Sequence, residues 1–183
     1  NQKVNSLKFN HLKDVSLYFT INGMKFSNTL AYWYLHNKRD LPWRNTTNPY
    51  YIWLSEIILQ QTRVAQGWSY YEKFLNQFPS VFDLAAASEQ DVIKCWQGLG
   101  YYSRARNLHK AAQIIVKDYR GKMPNSYDAL LQLPGIGDYT ASAIASICFG
   151  HKAPVVDGNV YRFLGRFFGI QTPINSSKGI KEY

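Results

Sequence analysis

Cysteine, histidine and long apolar runs are scarce in this 183-residue chain, which has two cysteines and four histidines. Cys95 and Cys148 lie far apart in the sequence and do not form a C-x-x-C pair, so they predict reduced, buried thiols and no metal site. No apolar run approaches the roughly 20 residues that span a bilayer, and the N-terminal residues lack the basic, apolar and small segments of a secretion signal. These absences favour an intracellular protein without a membrane segment.

Acidic residues are also few, 12 against 21 lysines and arginines, which gives a net charge of +9. This balance favours a polyanionic partner and salt-sensitive binding, although charge alone leaves open a basic protein with no such partner. The chain is 46% hydrophobic and 16% aromatic, which is enough to build a core. Alternating strand patterns are missing, whereas seven to nine segments have helical periodicity. We therefore expect an all-α fold.

Several helices can be bounded from their capping residues. Residues 1–23 show no sustained period and are interpreted as an extension. Ser27 is expected to cap a helix that ends near residue 36, and Ser88 opens a capping box for a helix to about residue 96. A further helix is expected over residues 64–78. On the helix that Ser27 begins, the residues expected to face inward are Leu30, Trp33 and Tyr34. On the helix over residues 64–78 they are Val64, Trp68, Tyr71, Phe74 and Leu75.

The segment LPGIGDYTASAI, residues 133–144, combines a tight turn with a helix start. Gly135 and Gly137 permit the turn, and Asp138 is expected to cap a helix whose small residues face inward. Backbone N–H groups at such a helix start can bind a phosphate oxygen without reading a base. The inward residues are Ala141, Ala143 and Ala145.

Two other interpretations of this turn compete with phosphate binding. A dinucleotide-binding turn needs a third glycine where this chain has Thr140, and a β-branched strand where it has YDALLQL, so that interpretation fails. An ordinary helix-turn-helix with a glycine linker stays open. Asp157, beside Gly158 in a short loop after the hairpin helix, suggests chemistry on nucleic acid. The helix after it is expected to carry Val160, Phe163, Leu164 and Phe167.

The segment PYYIWLSEIILQQT contains an acid within an apolar helix that Asn48 is expected to cap, with Pro49 in its first turn. Glu56 shares a face with Gln60, and burial would raise its pKa so that it holds a proton near neutrality, as a general acid must. A half-exposed structural glutamate is the alternative. Consecutive amides suit a surface that probes base pairs. The inward stripe is expected to hold Trp53, Leu54, Ile57, Ile58 and Gln61.

The segment GLGYYSRARNLHKAA joins a glycine break to aromatic and basic residues. Ser103 is expected to cap the helix that follows, and Arg104 lies near its positive end, which is unfavourable unless an anion approaches. Aromatic rings with arginine suit stacking on bases and holding phosphates, while a solvated basic face is the alternative. The inward residues are Leu108, Ala111, Ala112 and Ile115.

Five segments taken together closely resemble the adenine DNA glycosylases of MutY type, within the helix-hairpin-helix-GPD superfamily. They are LPWR, PYYIWLSEIILQQTRV, GLGYYSRARNLHKAA, LPGIGDYTASAI and VVDGNVYR. The resemblance implies a helical barrel over residues 46–154, with a helix-hairpin-helix at about 126–149, and part of a second lobe from residues 24–45 and 155–183. It also implies flipping and removal of adenine mispaired with 8-oxoguanine or guanine.

The resemblance implies a role for each matching residue. Glu56 corresponds to the acid that protonates adenine, and Asp157 to the carboxylate that stabilises the sugar cation with support from Asn159. Tyr139 occupies the position of the lysine used by lyase members, so strand cleavage is not expected. The DNA contacts would come from Gly135, Gly137, Gln60, Gln61, Tyr101 and Arg104, and the base pocket would be lined by Trp43 and Arg44.

The family usually continues into four cysteines that hold a [4Fe-4S] cluster and a further domain, whereas this chain stops at Tyr183, so the cluster ligands are expected beyond it. No metal ligand is expected within the chain. The expected partner is double-stranded DNA with a mismatched adenine, bound by a monomer in the bacterial cytoplasm or nucleoid. Two rivals stay open: an endonuclease III-like enzyme for oxidised pyrimidines, and a non-catalytic helix-hairpin-helix DNA-binding module.

Overall fold

The computed structural model describes residues 26–182, and the prediction for residues 1–23 lies outside this range. The described residues form helices without a strand, which confirms the all-α class. A short 3₁₀ turn, Pro42–Arg44, follows the first helix. The α-helices are α1 (Phe26–Asn37), α2 (Pro49–Leu59), α3 (Val64–Gln77), α4 (Val81–Ala86), α5 (Glu89–Trp96), α6 (Ser103–Tyr119), α7 (Tyr127–Leu131), α8 (Asp138–Phe149), α9 (Gly158–Phe168) and α10 (Ser177–Glu182).

Residues 41–155 form one compact unit, built around α2. Helices α3, α6 and α8 pack against α2, while α4 and α5 pack against α6. Seven of the eleven residues of α2 are buried, and Trp53, Leu54 and Ile58 have no exposed surface. The inward faces predicted for α6 and for the hairpin helix α8 are confirmed, because their named residues are all buried. Burial on this scale makes α2 a rigid support for the side chains at its C-terminal end.

The helix starts show which capping predictions hold. The Asn48 side chain accepts a hydrogen bond from the backbone N–H of Tyr50 (3.0 Å), and the Ser88 side chain accepts one from Asp91 (3.1 Å), as expected. A complete capping box at Ser80, which the sequence analysis did not single out, opens α4. These side chains satisfy N–H groups that a helix start leaves without partners.

Three capping predictions are wrong. Ser103 and Asp138 are the first residues of α6 and α8, and Tyr102 and Gly137 precede them as caps without a side-chain hydrogen bond. Ser27 lies inside α1. Asp138 instead accepts a hydrogen bond from the Tyr127 hydroxyl (2.7 Å), which joins the starts of α7 and α8. Asp138 thus accepts a hydrogen bond from another helix and not from the first turn of α8. Sequence spacing does not reveal such a partner.

The described residues 26–40 and 156–182 form a second compact unit, which contains α1, α9 and α10. The Phe26 ring packs against those of Phe163 and Phe167, with ring centroids 5.9 Å and 4.7 Å away. Both α9 rings remain partly exposed, at 41% and 36%. No helix in the part of the chain that the structure describes is long and apolar enough to cross a membrane.

The inward face predicted for α1 is wrong. Its large apolar residues are exposed, with Trp33 at 56%. The run LAYWYL distributes apolar side chains around the whole helix, so they do not form one stripe that a single neighbour could cover. The residues concerned are Leu30, Trp33 and Tyr34.

Candidate catalytic and DNA-binding residues

Glu56 is a half-buried carboxyl on an otherwise buried stretch of α2. Desolvation raises its pKa to about 7, from an ordinary value of 4.5. The raised pKa predicted from the sequence is therefore present, and its cause is burial among apolar neighbours. A carboxyl with this pKa carries a proton on about half the molecules at neutral pH, which is the state that a general acid needs.

A neutral thiol lies in the electrostatic surroundings of Glu56. Cys148, near the end of α8, is half-buried, and burial together with the nearby Glu56 charge raises its pKa to about 11. The thiol therefore stays protonated at neutral pH and offers no charge to stabilise ionised Glu56. The sequence alone indicates only an isolated thiol at Cys148, because the packing of α8 on α2 is a tertiary contact.

The two consecutive glutamines lie just past the end of α2. Gln60 is half-buried and its amide lies 3.4 Å from the buried Thr140 hydroxyl of α8. Gln61 is exposed and has a left-handed backbone with φ of 54°. Its expected inward position is therefore wrong, because α2 ends at Leu59 and the chain turns before the stripe can continue.

Tyr101 belongs to a second exposed turn, between α5 and α6. Its backbone is also left-handed, with φ of 47°, and its side chain is 65% exposed. Arg104 lies beside this turn, with its guanidinium carbon 5.6 Å from the Tyr101 ring centroid. The ring is exposed, and its contact with a base stack stays a prediction. Arg104, in contrast, is half-buried against protein groups.

The hairpin between α7 and α8 has the predicted tight turn. Gly135 has φ of +78°, and a side-chain carbon added there would lie 2.8 Å from Cβ of Asn107 on α6. Both the backbone conformation and the close approach therefore require glycine. Gly137 is exposed and directly precedes α8. The turn thus presents main chain, without a side chain in the way, at the positive end of a helix.

Asp157 caps α9 as an ionised carboxylate. One of its oxygens accepts hydrogen bonds from the backbone N–H groups of Asn159 (3.0 Å) and Val160 (2.9 Å). The other accepts from the Asn159 side-chain amide at 3.0 Å. The Val160 hydrogen bond first, and then those from Asn159, hold the pKa of Asp157 below its usual range. A fixed negative charge is therefore present at neutral pH.

Arg162 orients the amide that supports Asp157. Its guanidinium donates to the side-chain oxygen of Asn159 at 2.5 Å, so the Asn159 nitrogen faces the carboxylate. The sequence analysis did not assign Arg162 to the site, although its position three residues after Asn159 on a helix is a usable signal. A surface groove of about 650 Å³ runs along α9, lined by Asn159, Arg162 and Arg166 among others.

The remaining predicted residues lie in different environments. Tyr139 is in the first turn of α8 and is 45% exposed. Trp43 is in the core of its unit at 8% exposure, with its ring against those of Trp68 and Tyr71. Arg44 is exposed beside it. The structure thus places Trp43 as a packing residue, and a role of either residue in a base pocket stays a prediction.

A family model described as the HhH-GPD superfamily base excision DNA repair protein matches residues 54–182. The chain belongs to this HhH-GPD superfamily. The match contains α2 from Leu54 onward, the hairpin and the Asp157 loop. The helix-hairpin-helix predicted at about residues 126–149 lies within the matched range, and its bounds stay a prediction.

Curated relatives of the chain include adenine DNA glycosylases. That of Buchnera aphidicola from Acyrthosiphon pisum is 44% identical over 154 residues, covering 84% of this chain and 44% of the relative. That of Homo sapiens is 47% identical over 150 residues, covering 77% and 28%. The predicted resemblance is confirmed. The chain spans less than half the length of these two relatives.

The solved structure of a thermostable thymine-DNA glycosylase is also similar. It has a TM-score of 0.76 and 32% identity, and the alignment covers 86% of this chain and 74% of that one. The helical architecture is therefore the same over most of both chains.

The iron-sulfur cluster implied by the resemblance does not fit the residues described here. No group of three or more His, Cys, Asp and Glu side chains that could hold a metal ion occurs within residues 26–182. Cys95 is 1% exposed in the core, and burial raises its pKa to about 11. A buried thiol that resists ionisation is a poor ligand, because metals bind the thiolate.

Proposed function

We propose that this chain carries the catalytic residues of an adenine DNA glycosylase, which hydrolyses the N-glycosidic bond of adenine mispaired with 8-oxoguanine or guanine. The observation that carries the proposal is Glu56, a half-buried carboxyl whose pKa is about 7. The high identity to adenine DNA glycosylases of two distant organisms supports adenine as the substrate.

The reaction needs a proton donor and a fixed anion. When the bond between the sugar and adenine breaks, its electron pair leaves with the base, and positive charge develops on the sugar. Glu56 donates its proton to a ring nitrogen of adenine and makes it a better leaving group. Asp157 stays ionised and stabilises the sugar cation until water attacks the same carbon.

The two carboxyls suit these different roles because their environments shift their pKa values in opposite directions. Burial raises the pKa of Glu56, whereas hydrogen bonds from Val160 and Asn159 lower that of Asp157. At neutral pH one group can therefore give a proton while the other remains an anion. Asn159 and Arg162 keep Asp157 oriented.

With Tyr139 in place of a lysine, the reaction ends with hydrolysis of the glycosidic bond. A lyase needs an amine that attacks the sugar and forms a Schiff base, and a phenol cannot supply one. The product is therefore an abasic site in an intact strand.

Binding to double-stranded DNA uses groups that do not read sequence. The main chain at Gly135 and Gly137 holds a phosphate at the positive end of α8, and the excess of basic residues adds salt-dependent affinity. The exposed turns with Gln60, Gln61 and Tyr101 fill the space left by the flipped adenine. Flipping costs least at a mismatch, which contributes to substrate selection before the chemical step. A single copy of the chain is sufficient for these contacts.

The experiment that tests the function is a release assay on a panel of duplexes. We expect adenine to be released opposite 8-oxoguanine and guanine, with strand breaks only after alkali and no covalent complex trapped by borohydride. The panel includes thymine opposite guanine, because a thymine-DNA glycosylase shares 32% identity. An oxidised pyrimidine completes it.

Two outcomes would replace the proposal. Release of an oxidised pyrimidine with a trapped covalent complex would indicate an endonuclease III-like lyase. Tight duplex binding with no base released from any substrate would indicate a non-catalytic DNA-binding module.

A further inference from the structure

Arg104 caps the C-terminal end of α2 from a distant part of the chain. Its Nη1 lies 3.1 Å from the carbonyl oxygens of Ile57 and Ile58, and it also donates to the carbonyl of Gln60. The last carbonyls of a helix have no partner within the helix and carry partial negative charge. A cation at this position therefore stabilises the helix end and fixes the turn that follows.

The same guanidinium reaches the turn before α6. Its Nη2 lies 3.4 Å from the carbonyl oxygens of Leu99 and Gly100. The guanidinium carbon is also close to two aromatic rings, 5.0 Å from the Trp96 centroid and 5.6 Å from that of Tyr101. Trp96 is fully buried, so the guanidinium is anchored on the core as well as on both turns.

The two turns that Arg104 connects have an unusual property in common. Each contains a non-glycine residue with a left-handed backbone, Gln61 (φ 54°) and Tyr101 (φ 47°). Such conformations are uncommon for these residue types, and they persist only where the surroundings hold them. Both residues are exposed, and both belong to the surface proposed to fill the vacated base stack.

We infer that Arg104 is a positioning residue that fixes the turns at residues 60–62 and 99–101 in one geometry, so that Gln61 and Tyr101 enter the DNA together. This inference deepens the proposed function and rests on it. It replaces the sequence-based expectation that Arg104 contacts a phosphate. The guanidinium already donates hydrogen bonds to carbonyl oxygens of both turns, and a phosphate would have to compete with these acceptors.

Lysine cannot reproduce this arrangement. Arginine offers five donors in a planar fork, whereas the lysine ammonium is a compact charge that cannot reach both turns or stack in the same way. Arg104→Lys therefore keeps the charge and removes the connection between the turns. Arg106→Lys is the matched control, since Arg106 lies on the same helix and makes an exposed ion pair with Glu89 (3.2 Å).

The test measures single-turnover release of adenine at saturating enzyme on two duplexes. In one the adenine faces 8-oxoguanine, and in the other it faces an abasic-site analogue, where extrusion meets less stacking and no pairing. Arg104→Lys is expected to slow release from the first duplex by about 10- to 100-fold and from the second by less than about threefold, because the proposed wedge matters most when a paired base must be displaced. Arg106→Lys should stay within about twofold of the parent on both.

The salt dependence of binding to undamaged duplex separates positioning from phosphate binding. A positioning role leaves the slope of log K against log salt unchanged in Arg104→Lys and in Arg104→Gln. Loss of a phosphate contact in Arg104→Gln would reduce the slope by about 0.9. That reduction, or an equal slowing on both duplexes in Arg104→Lys, would overturn the inference.

Hydrogen exchange tests the connection without any activity and without a variant. The backbone amides of both turns should exchange through a shared opening event, since one side chain holds both. Clearly different opening free energies for residues 60–62 and 99–101 would contradict the inference. If the parent protein released no adenine, the proposed function would fail, and this exchange measurement would still decide whether Arg104 joins the turns.

Discussion

Glu56→Gln is expected to lower the single-turnover rate of adenine release by about 10²- to 10⁴-fold, the usual effect of removing a general acid. Glutamine has the size and shape of protonated glutamic acid but cannot transfer a proton. The α2 helix and its packing should therefore be unchanged. The loss should appear in the rate constant at saturating enzyme, while the affinity for DNA changes little.

The matched control is Glu72→Gln on α3. Glu72 is exposed and accepts a hydrogen bond from the Trp68 indole at 2.7 Å, which the glutamine oxygen can also accept. This variant should release adenine at the parent rate. A loss of less than about threefold in Glu56→Gln would remove Glu56 from the chemistry.

Thermal unfolding of Glu56→Gln distinguishes a loss of activity from a loss of folded structure. The pKa of Glu56 is about 7 in the folded protein and near 4.5 ordinarily, so the folded state binds this proton more tightly. The stabilising contribution of the proton is complete below about pH 4.5 and is lost as the pH rises through about 7. Glu56→Gln should thus be more stable than the parent at about pH 8, by up to about 3 kcal/mol, with no such gain near pH 4.

Asp157→Asn is expected to slow adenine release by about 10²- to 10³-fold, the usual cost of removing one preorganised electrostatic contact in an active site. The fold should tolerate the change, because asparagine caps helices about as well as aspartate. Its side-chain oxygen can still accept from the N–H groups of Asn159 and Val160. What is lost is the negative charge that stabilises the sugar cation, together with the hydrogen bond from the Asn159 side-chain amide.

Two further variants separate charge from capping. Asp157→Ala removes both, and should lower stability by about 1 kcal/mol in addition to slowing release. Asp91→Asn on α5 removes a carboxylate from the first turn of another helix and should leave release unchanged. If Asp157→Asn released adenine within about tenfold of the parent rate, the proposed role of Asp157 would be wrong.

Local signals were sufficient to predict the helices that position the candidate residues. Asn48 and Pro49 identified the start of α2, and the apolar residues on both sides of Glu56 identified a buried acid. These features depend on neighbours within one or two helical turns, which the sequence displays directly. The inward faces of α6 and α8 were predictable for the same reason.

Contacts between distant segments were not predictable. In the sequence, Arg104 is a cation in the first turn of α6, where the positive end of the helix dipole would repel it. In the structure its charge instead stabilises the negative, C-terminal end of α2. The sequence predicts Asp138 as a helix cap, yet its side chain accepts a hydrogen bond from the Tyr127 hydroxyl of the preceding helix. In both residues a partner in another element determines the role.

The exposed face of α1 has a different explanation. Periodicity predicts which residues share a helix face, but only when one face is more apolar than the others. The apolar side chains of α1, Trp33 among them, lie on all faces of the helix. The spacing of apolar residues therefore did not predict which of them are buried.

The pH dependence of adenine release under single-turnover conditions tests the central claim most directly, namely that protonated Glu56 is the acid. The rate constant should be level below about pH 7 and fall about tenfold per pH unit above it, because the protonated fraction of Glu56 falls in that way. The residual rate of Glu56→Gln should show no such fall. A parent rate constant that is independent of pH from about 6 to 9, or the same fall in Glu56→Gln, would contradict the assignment.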